Sequence, residues 1–253
     1  MKKENNRGVA GTHAETAESS WKGIYKLGGA AALIFVLTAL LDVVASIMAG
    51  EAAAPDTLTA TDWFTLFQSD PFHAFQNLGL FNIIEQVLMI LVFFALYAAH
   101  RKIDKVYAAL AMILQLLGTA VYISNSAAVP MFVLSGKYAA ATTDAQRSIF
   151  LAAGQAILAR GEDFTPGAFM GFLFLGIAGI AISCIMLRRG IFSKAASYSG
   201  ILGTVILFAF TLWATFVPAS YKTALVFAMF GGLLSMAWLI LIARRLFQLA
   251  RLA

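Results

Sequence analysis

"GLFNIIEQVLMILVFFALYAAHRKIDK", Gly79 to Lys105, decides how this chain is read. From Leu78 to Ala99 the run carries one charged side chain, Glu85, and it is followed at once by Arg101, Lys102 and Lys105. A hydrocarbon core of roughly 30 Å takes about 20 helical residues to cross. The stretch therefore predicts a membrane-spanning helix that stops where cations meet water. It also poses a question, because Glu85 has no Lys or Arg within the run to pair with.

The rest of the chain repeats this pattern. Of 253 residues, 60% are hydrophobic and 12% charged, which lies outside the range of ordinary soluble domains. Six spans are expected, at about 27–48, 78–99, 106–134, 165–187, 198–217 and 223–243. Fourteen of the 18 Lys and Arg fall in the N-terminal segment, Arg101–Lys105, Arg188–Lys194 and Arg244–Arg251. These alternate with mostly acidic stretches, Glu51–Asp70 and the one holding Asp144, Glu162 and Asp163. Such alternation is a topology signal and excludes reading the formal charge of +5 as a nucleic-acid patch. It predicts a cytoplasmic-membrane protein with both termini in the cytoplasm. Residues 1–20 are polar and aperiodic, so they are expected as a disordered cytoplasmic tail ahead of one transmembrane domain, 21–253. No cleaved signal peptide is expected, because the first apolar run starts late and is too long for one. Cys184 stands alone, so no intrachain disulfide forms.

Two segments on the outer side are expected to be amphipathic surface helices. In "TATDWFTLFQSDPFHAFQN", Phe64, Phe67, Phe72 and Phe75 lie near helical spacing beside Trp63, as in an interfacial helix. Asp70 followed by Pro71 reads as an N-cap with proline in the first helical position. In "TTDAQRSIFLAAGQAILARGEDFTPG", Thr143 and Gln146 have capping-box spacing, and Ile149, Phe150, Ala153, Ile157 and Leu158 form one stripe. Thr165 and Pro166 then restart the chain as the fourth span. The predicted fold class is all-α: a polytopic bundle of six transmembrane helices capped by two surface helices.

Polar groups within the spans gather on helical faces. Asn82, Glu85 and Gln86 share one face of the second span, and Thr38, Asp42 and Ser46 recur every fourth residue in the first. The third span carries Gln115, Thr119, Tyr122, Asn125 and Ser126, and the fifth Thr204, Thr211 and Thr215. At ~1.5 Å per residue, Asp42 and Glu85 lie roughly 9 and 10 Å below the outer edge, with Asn125 at a comparable level. Pro130 frees the carbonyl of Ser126, adding an acceptor in the same zone. These depths predict an outward-opening polar cavity whose candidate ligand-binding residues are Asp42, Asn82, Glu85, Gln86, Tyr122 and Asn125. A charged acid at membrane depth costs ~2.5–3.5 kcal/mol on insertion scales. Glu85 must therefore be protonated, hydrated, hydrogen-bonded or matched by a bound cation. The bland alternative is a protonated acid that ties helices together. For the Ser and Thr residues, back-bonding to a carbonyl one turn earlier is the first expectation.

No catalytic residue, cofactor or metal site is assigned. His73 and His100 are expected on opposite sides of the bilayer, His100 at the inner interface beside Arg101, and no metal-ligand spacing, nucleophile elbow, phosphate loop or paired cysteine motif occurs. Gly231 and Gly232 read as sites of close helix packing. The four tryptophans read as interface or packing aromatics.

Three stretches carry a family likeness: "FFALYAAHRKIDKVYAALAMILQLLGTAV", "VLSGKYAAATTDAQ" and "IMLRRGIFSKAASYSGILG". From Lys26 to Arg245 the chain resembles the six-helix prokaryotic membrane proteins of domain of unknown function 4386. Ser193 stands where that family's pattern has proline. The resemblance implies the six-span fold and no activity.

Three functional readings follow. The leading one is a non-enzymatic membrane protein that binds, and transports or senses, a small cationic or amphipathic ligand. Two acids without bases favour a cation or amine. The absence of internal repeats and of broken helix pairs weighs against alternating-access transport. The alternatives are an accessory subunit or assembly factor of a membrane complex, and an intramembrane enzyme acting on lipid with Glu85 or Asp42 as general base. The expected partners are the lipid bilayer and a small cationic or amphipathic ligand, with an oligomer or a partner subunit as a further possibility.

Overall fold

The computed structural model describes the backbone of residues 5–48, 58–161 and 165–252. It is helical, with no strand among those residues. The elements are α1 (Asn5–Met48), α2 (Ala60–Ser69), α3 (Pro71–Asn77), α4 (Leu80–His100), α5 (Lys105–Asn125), α6 (Ala128–Ala139), α7 (Asp144–Gly161), α8 (Pro166–Arg189), α9 (Lys194–Phe216) and α10 (Tyr221–Leu252), with a 3-10 turn at Pro218–Ser220. Among the described residues, six segments are long and apolar enough to cross a membrane: Trp21–Ala45, Leu80–His100, Lys105–Ala139, Gly167–Arg189, Lys194–Phe216 and Pro218–Leu252. Each overlaps one of the six spans expected from sequence. The backbone of α1 is helical from Asn5, through the stretch whose composition reads as a disordered tail. The Ser46 side chain and the acids Glu51, Glu162 and Asp163 lie outside the described residues.

Local chemistry sets the ends of these helices. Gly190 closes α8 in the left-handed region (φ +67), which costs a glycine little. Ser193 then caps α9 by accepting the Ala196 N–H at 3.2 Å. Asp70 caps α3 as expected, accepting from His73 N at 3.1 Å, with Pro71 behind it. The short α3 does not run on into α4, because Leu78 and a left-handed Gly79 (φ +83) separate them. Thr143 receives the Gln146 N–H at 3.3 Å, but the Gln146 side chain reaches back to Thr142 N instead of completing the box.

The third span departs from the sequence reading. Instead of one helix with a freed carbonyl, it breaks between α5 and α6, with Ser126 extended (ψ 131). Proline clashes with the carbonyl four residues before it. Counting back from Pro130 lands on Ser126, where the helix stops. The end of α7 seals the break: Ala127 N donates to the Gly161 carbonyl at 3.2 Å. A Cβ on Gly161 would collide with the Asn125 carbonyl oxygen.

The spanning helices close into a ring in which neighbours touch in the order α1, α4, α5, α8, α9, α10 and back to α1. Large apolar side chains such as Leu37, Ile113, Leu202 and Leu233 stay exposed around the bundle. In water so much exposed apolar surface marks an interaction site, and here it suits contact with lipid. A separate cluster at one end joins α2, α3, α6 and α7 around Phe64, Phe67, Met131 and Leu158. Phe67, Phe75 and Phe132 form an aromatic triangle with centroids 5.2–5.7 Å apart. The aromatic face of α2 is therefore committed to protein: Trp63, Phe64 and Phe67 are buried, whereas Phe72 is 63% exposed. The opposite end carries Arg101–Lys105, Arg188, Arg189, Arg244 and Arg245. Asp104 there binds Arg189 at 2.7 Å.

Candidate functional site

Within the ring, in the half nearer the α2–α3–α6–α7 cap, lies a cavity of about 370 Å³ lined from α1, α4, α5, α8, α9 and α10. Its volume falls in the range of small-molecule sites. Phe35, Phe93, Phe172 and Phe208 make much of the wall apolar. Asn82, Glu85 and Gln86 supply a polar strip from α4, faced by Gln115 from α5 and by Thr204 and Thr211 from α9. No Lys, Arg or His is among the described lining residues.

Glu85 is buried on the inner face of α4. Its carboxyl meets the Thr38 hydroxyl of α1 and lies close enough to Asp42 for the two acids to interact electrostatically. Beside it, the Gln115 amide donates to Gln86 Oε1 at 3.4 Å and to Thr119 Oγ1 at 3.2 Å. The amides thus tie α4 to α5, while the acid's contacts run across to α1. Thr38 and Thr211 also back-bond to Phe35 and Leu207 carbonyls at 2.8 and 3.0 Å, the role expected of hydroxyls in spans.

The six candidate residues separate into three groups. Asn82, Glu85 and Gln86 line the cavity together. Asp42 is half-buried beside it, accepting from Gln76 of α3 at 3.4 Å, and is not part of the lining. Tyr122 and Asn125 are elsewhere. Tyr122 packs on Phe172, centroids 5.3 Å apart, in a seam where Gly118 and Gly171 bring α5 and α8 too close to leave space. Asn125 accepts from Arg160 Nε at 2.8 Å and donates to the Val121 carbonyl at 2.9 Å, holding the helix break. Shared depth was not enough to bring these two into the site, because the seam turns the end of their stripe away.

Several lining residues went unassigned in the sequence. Gln115 was visible as part of a polar stripe, and Thr204 and Thr211 as part of another. Trp238, buried with no acceptor for its indole N–H among the described residues, packs with Ser183 against Gly200, which leaves room for both. Nothing in an apolar run distinguishes such an aromatic from a lipid-facing one. Gly231 and Gly232 also differ. A Cβ on Gly231 would come within 2.9 Å of Leu207 N, so this glycine admits close α9–α10 packing. Gly232 lines the cavity, and a Cβ there would meet nothing within 4 Å. His100, the last residue of α4 beside Arg101, is fully buried, stacked on Phe192 with Nδ1 2.8 Å from the Leu96 carbonyl.

A family model described as domain of unknown function (DUF4386) matches residues 30–243, and the chain belongs to that family. No curated protein and no solved structure matches it. The chain is an integral membrane protein of an uncharacterised helical family.

Proposed function

We propose that the protein binds a small cationic or amphipathic molecule in the cavity of the helix ring, with Glu85 as the group that recognises its charge. The observation carrying this reading is an acid buried in a cavity whose described lining holds no base. A carboxylate there is stabilised by a cation that enters with the ligand, and the amides of Gln86 and Gln115 offer neutral hydrogen bonds beside it. The phenylalanine walls suit the apolar body of an amine. We place the basic end of the bundle in the cytoplasm and the cap on the outer side, following the distribution of Lys and Arg.

The test is native mass spectrometry of gently extracted protein, wild type against Glu85→Gln. A hydrogen bond to a charged group contributes about 1.5–3 kcal/mol. A ligand held by Glu85 should therefore be retained at least about tenfold less by the variant. A bare chain in both samples, or one adduct retained equally, would make Glu85 a structural acid and refute the proposal.

A further inference from the structure

A second cavity lies at the opposite end of the bundle. It measures about 230 Å³ and is enclosed by the start of the α1 span, the end of α4 and the end of α10. Trp21, Tyr25, Arg101, Lys102, Leu249 and Leu252 line it, over a floor of two alanines. Two cations and no acid are among its described lining residues. The acid nearest in sequence, Asp104, is engaged by Arg189 at 2.7 Å.

The Arg101 side chain is held in place rather than free to wander. Its guanidinium carbon lies 3.9 Å from the centroid of Trp21, a cation–π contact. Arg101 Nε is buried and has no acceptor among the described residues. Tyr25 donates its hydroxyl to the Ala98 carbonyl at 3.3 Å, and its hydroxyl oxygen accepts from the Arg101 guanidinium. A fixed, planar donor with an unused N–H, next to a mobile ammonium, suits the oxygens of a phosphate. Leu249 and the 79% exposed Leu252 add an apolar ledge. The pocket lies at the level of the basic end of the bundle, where the apolar run of α4 stops at Arg101 and Lys102. Basic pockets between spans at that level bind anionic headgroups.

We propose that this pocket binds the phosphodiester of an anionic phospholipid, with Arg101 and Lys102 on the phosphate oxygens and the leucines against the glycerol and upper acyl chain. The site is independent of the central cavity and of whatever that cavity holds.

The experiment uses the full chain in mild detergent. Adducts are measured by native mass spectrometry during titration with phosphatidylglycerol, phosphatidylcholine of the same chains, or inorganic phosphate. Wild type should retain phosphatidylglycerol over phosphatidylcholine. Removing one cation near an anionic lipid weakens binding about fivefold, so Arg101→Gln with Lys102→Gln should weaken it by roughly 25-fold. The control, Arg188→Gln with Lys194→Gln, removes two charges from the same end and should change it by less than about twofold. Lys102 is exposed, so Lys102→Gln alone should show its fivefold loss with an unchanged unfolding midpoint, even if the double variant folds poorly. Equal losses in the control would assign binding to diffuse charge and overturn the proposal. Displacement of phosphatidylglycerol by inorganic phosphate would show a free-anion site and overturn the lipid assignment.

Discussion

Gly231 and Gly232 are neighbours in α10, yet alanine should act oppositely at the two positions. At Gly231 the new methyl would sit 2.9 Å from both Leu207 N and Leu207 Cγ. Backbone cannot swing aside as a side-chain tip can, so α9 and α10 must separate. Overpacking of this kind costs about 1–3 kcal/mol, and the helix-propensity gain of about 1 kcal/mol for replacing glycine offsets only part of it. At Gly232 the methyl enters open cavity space, so only the gain remains. The two variants should therefore differ by about 1–3 kcal/mol, with Gly231→Ala the less stable. At roughly 2–4 °C per kcal/mol for a chain of this size, their melting points should lie about 2–12 °C apart. Far-UV circular dichroism of the purified proteins in one detergent measures this directly. A Gly232→Ala protein melting as low as Gly231→Ala would mean that both glycines face packed helix, and the cavity wall would be misplaced. Gly232→Leu extends the comparison, since it should fold normally while competing with any occupant beside Glu85.

Two further outcomes follow from charge. The proposed orientation predicts that a fluorescent protein fused after Ala253 should fluoresce, while alkaline phosphatase fused there should stay inactive; the reverse pattern would invert the orientation. Asp62 has its carboxyl held below the ordinary 3.8 by hydrogen bonds from the Thr59 hydroxyl and then the Thr59 backbone N–H. A depressed acid stabilises the fold above its unfolded value and loses that contribution as pH falls through the folded one. Amide protection at the start of α2, taken relative to the intrinsic exchange rate at each pH, should therefore fall as pH drops below about 4. Asp62→Asn should flatten that dependence, and an unchanged profile would refute the capping role.

The spans were legible because two strong signals coincide: apolar runs of bilayer length, and basic residues where the runs end. The cap at Asp70 and the restart at Thr165 and Pro166 were legible for similar local reasons. The order of helices around the ring was not. Every face of such a span is apolar, so periodicity cannot separate the side that meets lipid from the side that meets protein. The aromatic stripe of α2 shows the same ambiguity. Trp63, Phe64 and Phe67 at helical spacing fit a membrane interface or a protein seam equally well, and only Gly154, against which Phe64 packs, favours the seam. The break at Ser126 was half legible: Pro130 marked the disturbed carbonyl, but Gly161 of α7, distant in sequence, holds the chain there.

The site divides along the same line. Asn82, Glu85 and Gln86 were readable as a group because helix geometry alone puts them on one face. Asp42, Tyr122 and Asn125 were joined to them by depth, which is a property of one helix and says nothing about rotation relative to another. Rotation is set at seams, where Gly118 and Gly171 close α5 onto α8 and turn Tyr122 into packing. The same physics bears on the opening question about Glu85. Asp42 interacts with Glu85 electrostatically, but from outside the lining. With Asp42 outside and hydrogen-bonded to Gln76, Glu85 is the one acid on the described cavity wall. Charge recognition there therefore depends on Glu85, and Asp42→Asn should disturb ligand retention far less than Glu85→Gln in the same mass-spectrometric comparison.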